Sequence, residues 1–272
     1  MGKNLTGPNR LIKLSPLDRS IIWQADINPV IEEIGQQTGT PIGGFQDSAE
    51  DQDGNAYFPS SFGHTILKVD VNGRPSKFYI AEPDKLNTDV YGFGGLFTTD
   101  ENVLVLSDGV TGGFVRFDLS GPNPSEPLFS KPTNLWTEYD TVLDCDSLIA
   151  PPKFNQTIAL CSDVVNRNLS PHGMITGYAS GDGWKTSKYI GAIPVEFGQS
   201  PDVWSTAQFA TPEGIYALSS ALPYAEGTFP KTNGTTLVDI TEKVVELLHS
   251  SKHDLLAEIL NFESLVQSKD EL

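Results

Sequence analysis

The chain has 272 residues, and 35 acidic against 18 basic side chains give it a formal net charge of −17. That charge repels nucleic-acid phosphates and anionic membrane surfaces and offers no basic stripe for either, so no nucleic-acid partner is expected. No stretch reaches the ~20 apolar residues that span a bilayer, and the opening MGKNLTGPNRLIKLS lacks the apolar centre of a signal peptide.

At the two ends stand short address-like motifs. Met1-Gly2 with Thr6 fits a loose myristoylation pattern, whereas Lys269-Asp270-Glu271-Leu272 reads as an ER-retention tetrapeptide. The second, together with the sequons headed by Asn4, Asn155, Asn168 and Asn233, implies a secretory lumen only if an N-terminal signal lies outside this sequence. NRLIKLSPLDRSIIWQADI, over residues 9–27, reads as the third and fourth strands of a sheet whose first two are absent. Asn28 then caps, and Pro29 starts, a short helix PVIEEIGQQ.

Residues 49–61, AEDQDGNAYFPSS, alternate Asp51, Asp53 and Asn55 around a glycine as a calcium loop would. An EF-hand loop needs Gly at its sixth position and Glu at its twelfth; counted from Asp51 those places hold Ala56 and Phe62. The segment therefore reads as a hairpin turn at Asp53-Gly54-Asn55, where Gly and Asn accept positive φ.

The phrase recurs. DENVLVLSD, FNQTIALCSD and PEGIYALSS repeat a polar turn, an apolar strand and small polar residues, and the strand starts Asn55, Asn102, Thr157 and Gly214 lie 47, 55 and 57 residues apart. Each copy has a Gly- or Asp-rich strand before it and one or two strands after it, the composition of a four-stranded propeller blade. The expected fold is an all-β propeller of the six-bladed type. It reads as N-terminally incomplete, with a half blade at 9–27 and full blades near 43–84, 91–132, 141–195 and 204–241. The propeller ends near residue 248, and residues 249–272 form a helical, polar tail. Val244, Leu247, Leu248, Leu255, Leu256, Ile259 and Leu260 fall at helical spacing and are read as packing faces.

If PKFN turns a hairpin, Cys145 falls nearly opposite Cys161, close enough for a disulfide in an oxidising compartment; the alternative is two buried thiols. The four histidines lack a zinc-protease arrangement, and neither a Gly-x-Ser-x-Gly elbow nor a phosphate-binding loop occurs. No metal-ligand set and no cofactor are expected.

A propeller gathers the approaches to its first strands, and its second-to-third loops, on one rim. From the former come Phe45, Gln46, Asp47, Tyr91, Phe93, Asp144, Asp146, Trp204 and Gln208; from the latter come Phe62, His64, Asp108, Asp163, His172, Tyr224 and Glu226. Aromatic walls with sparse carboxyl groups suit a hydrophobic ligand carrying a few oxygens. A carboxyl there could have a raised pKa and act as a general acid. Asp144 and Asp146 are two apart, which in a regular strand places both on one face.

The runs TGTPIGGFQDSAEDQDGNAYFPSSFGHTILKVDVNG and YGFGGLFTTDENVLVLSDGVTGGFVRFDLSG, with SSALPYAEG and TTLVDIT, resemble the fungal core trichothecene cluster protein fourteen family. That family is a distant relative of regucalcin and gluconolactonase-type six-bladed propellers, and the resemblance covers about residues 9 to 248. It implies a role in fungal trichothecene-type sesquiterpenoid mycotoxin biosynthesis, as a cofactor-independent, non-redox cyclase acting on a terpenoid small molecule. Under that reading Asp144 or Asp146, with Asp47 and Glu226, supply the catalytic carboxyls, and Phe45, Phe93, His64, Asp108, Trp204, Gln208 and Tyr224 bind substrate. Two alternatives stand beside it: a calcium-dependent lactonase or esterase of the gluconolactonase type, and a non-catalytic truncated propeller serving as a binding platform.

Overall fold

The computed structural model describes residues 7–82, 86, 91–135, 145–163, 173–197, 203–221 and 236–250. The fold is all-β and propeller-like, with two short helices, and the chain divides into two compact units, Met1–Phe129 and Ser130–Leu272.

The first unit opens with the hairpin β1 (Arg10–Leu14) and β2 (Ile21–Asp26). Strand alternation turns Trp23 and Ala25 into a core shared with Ile34, Ile42, Leu67 and Val69, and leaves Ile12, Leu14 and Ile22 exposed. Helix α1 (Asn28–Thr38) follows, with Pro29 in its first turn as expected. Asn28, expected as the cap, is instead the first helical residue. Its Oδ1 accepts from both nitrogens of Asn9 while its Nδ2 donates to Asp26 Oδ1 at 2.8 Å, which ties the helix start to the hairpin.

Two blade-type sheets complete this unit. In one, β3 (Gly43–Phe45) and β4 (Ala49–Glu50) pair with β5 (Ala56–Phe62), which continues to β6 (Thr65–Val69) and β7 (Pro75–Ile80). The first strand is split because Pro59 of β5 has no N–H to offer a neighbour; pairing stops at Phe45↔Ser60 and resumes at Ala49↔Tyr57. In the other, β8 (Phe93–Thr98), β9 (Val103–Asp108), β10 (Gly113–Asp118) and β11 (Pro127–Ser130) run in simple antiparallel order. Strand β9 is buried along its whole length, which explains its nearly unbroken apolar run.

The second unit repeats the plan. Its first sheet is β12 (Cys145–Ile149), β13 (Ile158–Asp163), β14 (Met174–Ala179) and β15 (Lys188–Pro194); its second is β16 (Val203–Ala210), β17 (Ile215–Ala221) and β18 (Leu237–Asp239). Helix α2 (Thr241–Ser250) then lays Val244, Leu247 and Leu248 on the core formed with Ile158, Leu160, Ile175 and Ile215, the face read from the sequence. Gly191 makes room for it: a Cβ there would stand 2.5 Å from Leu247 Cδ1, on a backbone at φ +132°.

Cys145 and Cys161 form a disulfide. They are diagonal rather than opposite: Cys145 pairs with Asp163 and Leu148 with Cys161, because a β-bulge adds one residue to β12. The bulge brings the two Cα atoms to 5.2 Å, within disulfide reach. The turn before β13 is a short 3₁₀ segment, Pro152–Phe154, closed by Asn155 at φ 50°.

The metal-like loop is a turn. Asp51 accepts hydrogen bonds from the backbone N–H groups of Asp53 and Asn55, from the Asn55 amide and from the Tyr57 hydroxyl. Its oxygens are thus occupied by the chain itself, and Gly54 supplies φ 82°. Among the described residues no group of three or more His, Cys, Asp or Glu side chains is placed to hold a metal ion, and no helix is long and apolar enough to cross a membrane.

Candidate functional site

At or within one residue of the end of β5, β9, β13 and β17 stands a serine followed by a second small polar residue: Ser60-Ser61, Ser107-Asp108, Ser162-Asp163 and Ser219-Ser220. In the first unit these ends and the turn beyond β5 build a polar nest. Ser61 O accepts from Gly92 N at 2.9 Å and Gly92 O accepts from Gly109 N at 2.9 Å. This backbone ladder sets the end of β5, the entry to β8 and the end of β9 side by side.

His64 projects from the turn after β5 into that junction. Its backbone is left-handed, φ 44°, held by the bond from Ala81 N to its carbonyl at 3.1 Å. The imidazole is 2% exposed, stands edge-on to Phe93 with centroids 5.4 Å apart, and fills the space in front of Gly92, where a Cβ would meet Nε2 at 2.3 Å. Its nearest charge is Asp108, with Nε2 and Oδ1 separated by 3.7 Å. That distance is an electrostatic contact rather than a hydrogen bond. Both ring nitrogens, and the neighbouring Ser61 and Thr65 hydroxyls, are buried without a hydrogen-bond partner among the described residues. Buried unpaired polar atoms are costly and uncommon, and here they are concentrated in one turn.

Asp108 is an anion. Burial pushes its carboxyl up, but the facing His64, the Val110 N–H at 3.0 Å and the Thr111 hydroxyl at 2.9 Å together hold it below the usual carboxylate range. The raised pKa expected of a rim carboxyl therefore does not arise at this position. On the other side, burial and then the Asp108 charge raise the Tyr79 phenol. Half-buried aromatics flank the nest: Phe62 and Tyr91 pack edge to face at 5.5 Å, and the Tyr91 hydroxyl donates to Gln46 Oε1.

No protein-family model matches the chain. It is 27% identical over 252 residues to trichothecene biosynthesis protein 14 of Trichoderma arundinaceum, an alignment covering 91% of this chain and 64% of that one. To core trichothecene cluster (CTC) protein 14 of Fusarium sporotrichioides it is 25% identical over 178 residues, or 65% of this chain and 43% of the relative. The chain is similar to fungal trichothecene-biosynthesis proteins, as the blade phrases implied. It spans less than two thirds of the length of either. Among solved structures, the major allergen Mala s 1 of Malassezia sympodialis superposes with a TM-score of 0.57 at 21% identity, covering 75% of this chain and 59% of the allergen. That likeness concerns the fold alone.

The expected site residues divide by location. His64, Asp108 and Phe93 meet in the nest. Phe93 is nevertheless a core residue, 1% exposed beside Leu96 and Leu106, and Phe45 packs partly buried against the Trp23 core. Asp47 lies in the break between β3 and β4, where Oδ1 accepts from Ser48 N and Oδ2 from Leu96 N of the adjacent sheet. Gln208, in the second unit, is buried; its amide donates to Ser147 O at 3.0 Å and to Leu160 O and accepts from the Ser162 hydroxyl, so each end is committed to protein. Asp146 sits in the β12 bulge. Asp144, Tyr224, Glu226 and the Trp204 side chain lie outside the described residues.

Sequence reasoning missed Ser61, Thr65 and Gly92. The repeated small-polar pair at the strand ends was the available signal for Ser61. Nothing in the sequence marked Gly92 as the residue that leaves room for an imidazole.

Proposed function

We propose that the chain serves fungal secondary-metabolite biosynthesis as a non-redox cyclase, closing an oxygen heterocycle on a trichothecene-type sesquiterpenoid. The observation that carries this reading is the unpartnered, buried His64 beside anionic Asp108, in a chain whose relatives are named for trichothecene biosynthesis. In such a closure a substrate hydroxyl oxygen bonds to an allylic carbon as that carbon loses its own hydroxyl. The acid gives a proton to the departing oxygen, the attacking hydroxyl returns one, and one water leaves. An imidazole can both give and accept a proton, so His64 is assigned both transfers. Asp108 stabilises the imidazolium, and Ser61 and Thr65 offer hydroxyls to the oxygens in transit. Phe62 and Tyr91 supply apolar wall. Asp47, in the same unit as His64, belongs to the same proposal as an additional acid.

The test is product analysis by mass spectrometry with an allylic-alcohol precursor, comparing the natural chain with His64→Gln and Asp108→Asn. Ring closure above the spontaneous rate, reduced ~100-fold or more in His64→Gln and less in Asp108→Asn, is expected. Equal rates for the natural chain and folded His64→Gln would remove His64 from the chemistry.

A further inference from the structure

The other unit holds a cavity of its own. A cleft of about 850 Å³ opens where the turn between β14 and β15 meets the segment at Thr133 and the start of β13. Thr133 N donates to Ser187 O at 3.0 Å, Tyr189 N donates to Thr133 O at 2.9 Å, and Ser180 N donates to Thr157 O at 2.9 Å, so backbone bonds fix its walls. Among its described lining residues the one apolar side chain is Ala179, which sets it apart from the aromatic surroundings of His64.

Its hydrogen-bonding groups are unbalanced. The charged acceptor is Asp182, and that carboxylate is taken: Oδ1 accepts from Thr186 N at 2.9 Å and from the Ser180 hydroxyl at 3.0 Å, and Oδ2 from the Thr186 hydroxyl at 2.7 Å. Donors remain. The Ser187 hydroxyl is buried, in a residue 6% exposed, and has no partner among the described residues. Beside it in sequence stands Lys188, with no carboxylate within ion-pair distance among the described residues, and Lys188 and Asn134 also line the cleft. A buried hydroxyl without a partner asks for an acceptor, and an ammonium with an adjacent hydroxyl and amide is the donor set of an oxyanion site.

We infer that this cleft binds the oxyanion group of a small polar metabolite, a phosphate ester or a carboxylate, through Lys188 and Ser187. The cleft exceeds the volume of the anion itself, so the rest of the ligand is polar and lies along the Thr133 and Thr157 walls. The chain's net charge of −17 works against indiscriminate anion binding, which makes saturable binding diagnostic.

Titration of the full chain with inorganic phosphate and, separately, acetate, at constant ionic strength against a sodium chloride reference, tests this by calorimetry and by the amide shifts of Ser187 and Lys188. Saturation by at least one of the two, weakened tenfold or more in Lys188→Gln and several-fold in Ser187→Ala, is expected. The stronger anion tells phosphate ester from carboxylate. Binding should persist in His64→Gln, which separates it from the cyclase reading. No saturation by either anion, or saturation indifferent to both variants, overturns the inference.

Discussion

At the scale of single residues, two side chains of the first unit have opposite relations to their surroundings. Asp51 is fully satisfied: each of its oxygens accepts from neighbours within its own turn or from Tyr57. Burial pushes its carboxyl up, but the Asn55 and Tyr57 bonds outweigh it, and the net shift is downward. A depressed folded pKa contributes stability that is complete above the unfolded value of about 3.9 and lost as pH falls through the folded one. Asp51→Ala should therefore cost ~1–3 kcal/mol at neutral pH and flatten the fall in stability below pH 4, as read by denaturant unfolding across pH. His64 is unsatisfied instead, and its position depends on a missing atom. Gly92→Ala would place a methyl 2.3 Å from Nε2, so it should displace the ring and match His64→Gln in lost activity while the chain stays folded. An unmoved His64 ring resonance in that variant's NMR spectrum would contradict this account of the nest. His64 and Asp108 could be picked out in sequence because they lie at or just after the ends of aligned strands. Asp144 lies outside the described residues, and of the expected pair only Asp146 is placed, within the irregular part of β12.

Among the elements, irregular first strands recur. Register shifts occur between Phe93 and Leu96, between Cys145 and Leu148, and between Ser205 and Ala207, and the break before β4 occupies the same place in its sheet. Bulges re-aim side chains, which is why strand existence could be read from apolar runs while side-chain direction in these strands could not. The disulfide depends on one of these bulges. Cys145 and Cys161 are 16 residues apart, and a closed loop of that size is worth ~3 kcal/mol; the Cys145→Ser, Cys161→Ser double variant should lose about that much by urea unfolding. An equally stable double variant would mean that the sheet alone fixes the bulge. The β1–β2 hairpin gives a sharper contrast between adjacent positions. Trp23 is 8% exposed within a core and Ile22 is 53% exposed, so Trp23→Ala should cost ~3–5 kcal/mol and Ile22→Ala within ~0.5 kcal/mol. Similar costs at the two positions would show that the hairpin is held differently from the packing described.

Across the whole chain, repetition was the most readable property. Four polar-turn phrases led to four blade-type sheets among the described residues, since each repeat encodes one hairpin-connected unit with a buried middle strand. Chemistry was less readable, because a site in such a fold is assembled from strand ends far apart in sequence, and its character depends on which buried atoms lack partners. The nest of His64, Asp108, Ser61 and Thr65 joins turns that sequence spacing separates by more than forty residues, and its unpaired atoms arise only from the packing of the fold. Similarity to trichothecene-biosynthesis proteins supplies a substrate class for the proposal, and the nest supplies a place for the proton transfers it needs. The measurement that tests this most directly is the rate and stereochemistry of ring closure on a trichothecene-type allylic alcohol, with the natural chain and His64→Gln in parallel and folding of both verified by circular dichroism. The account predicts stereoselective closure above the spontaneous rate that falls ~100-fold in the variant. Closure by the natural chain at no more than the spontaneous rate, or closure that His64→Gln leaves unchanged, would contradict it.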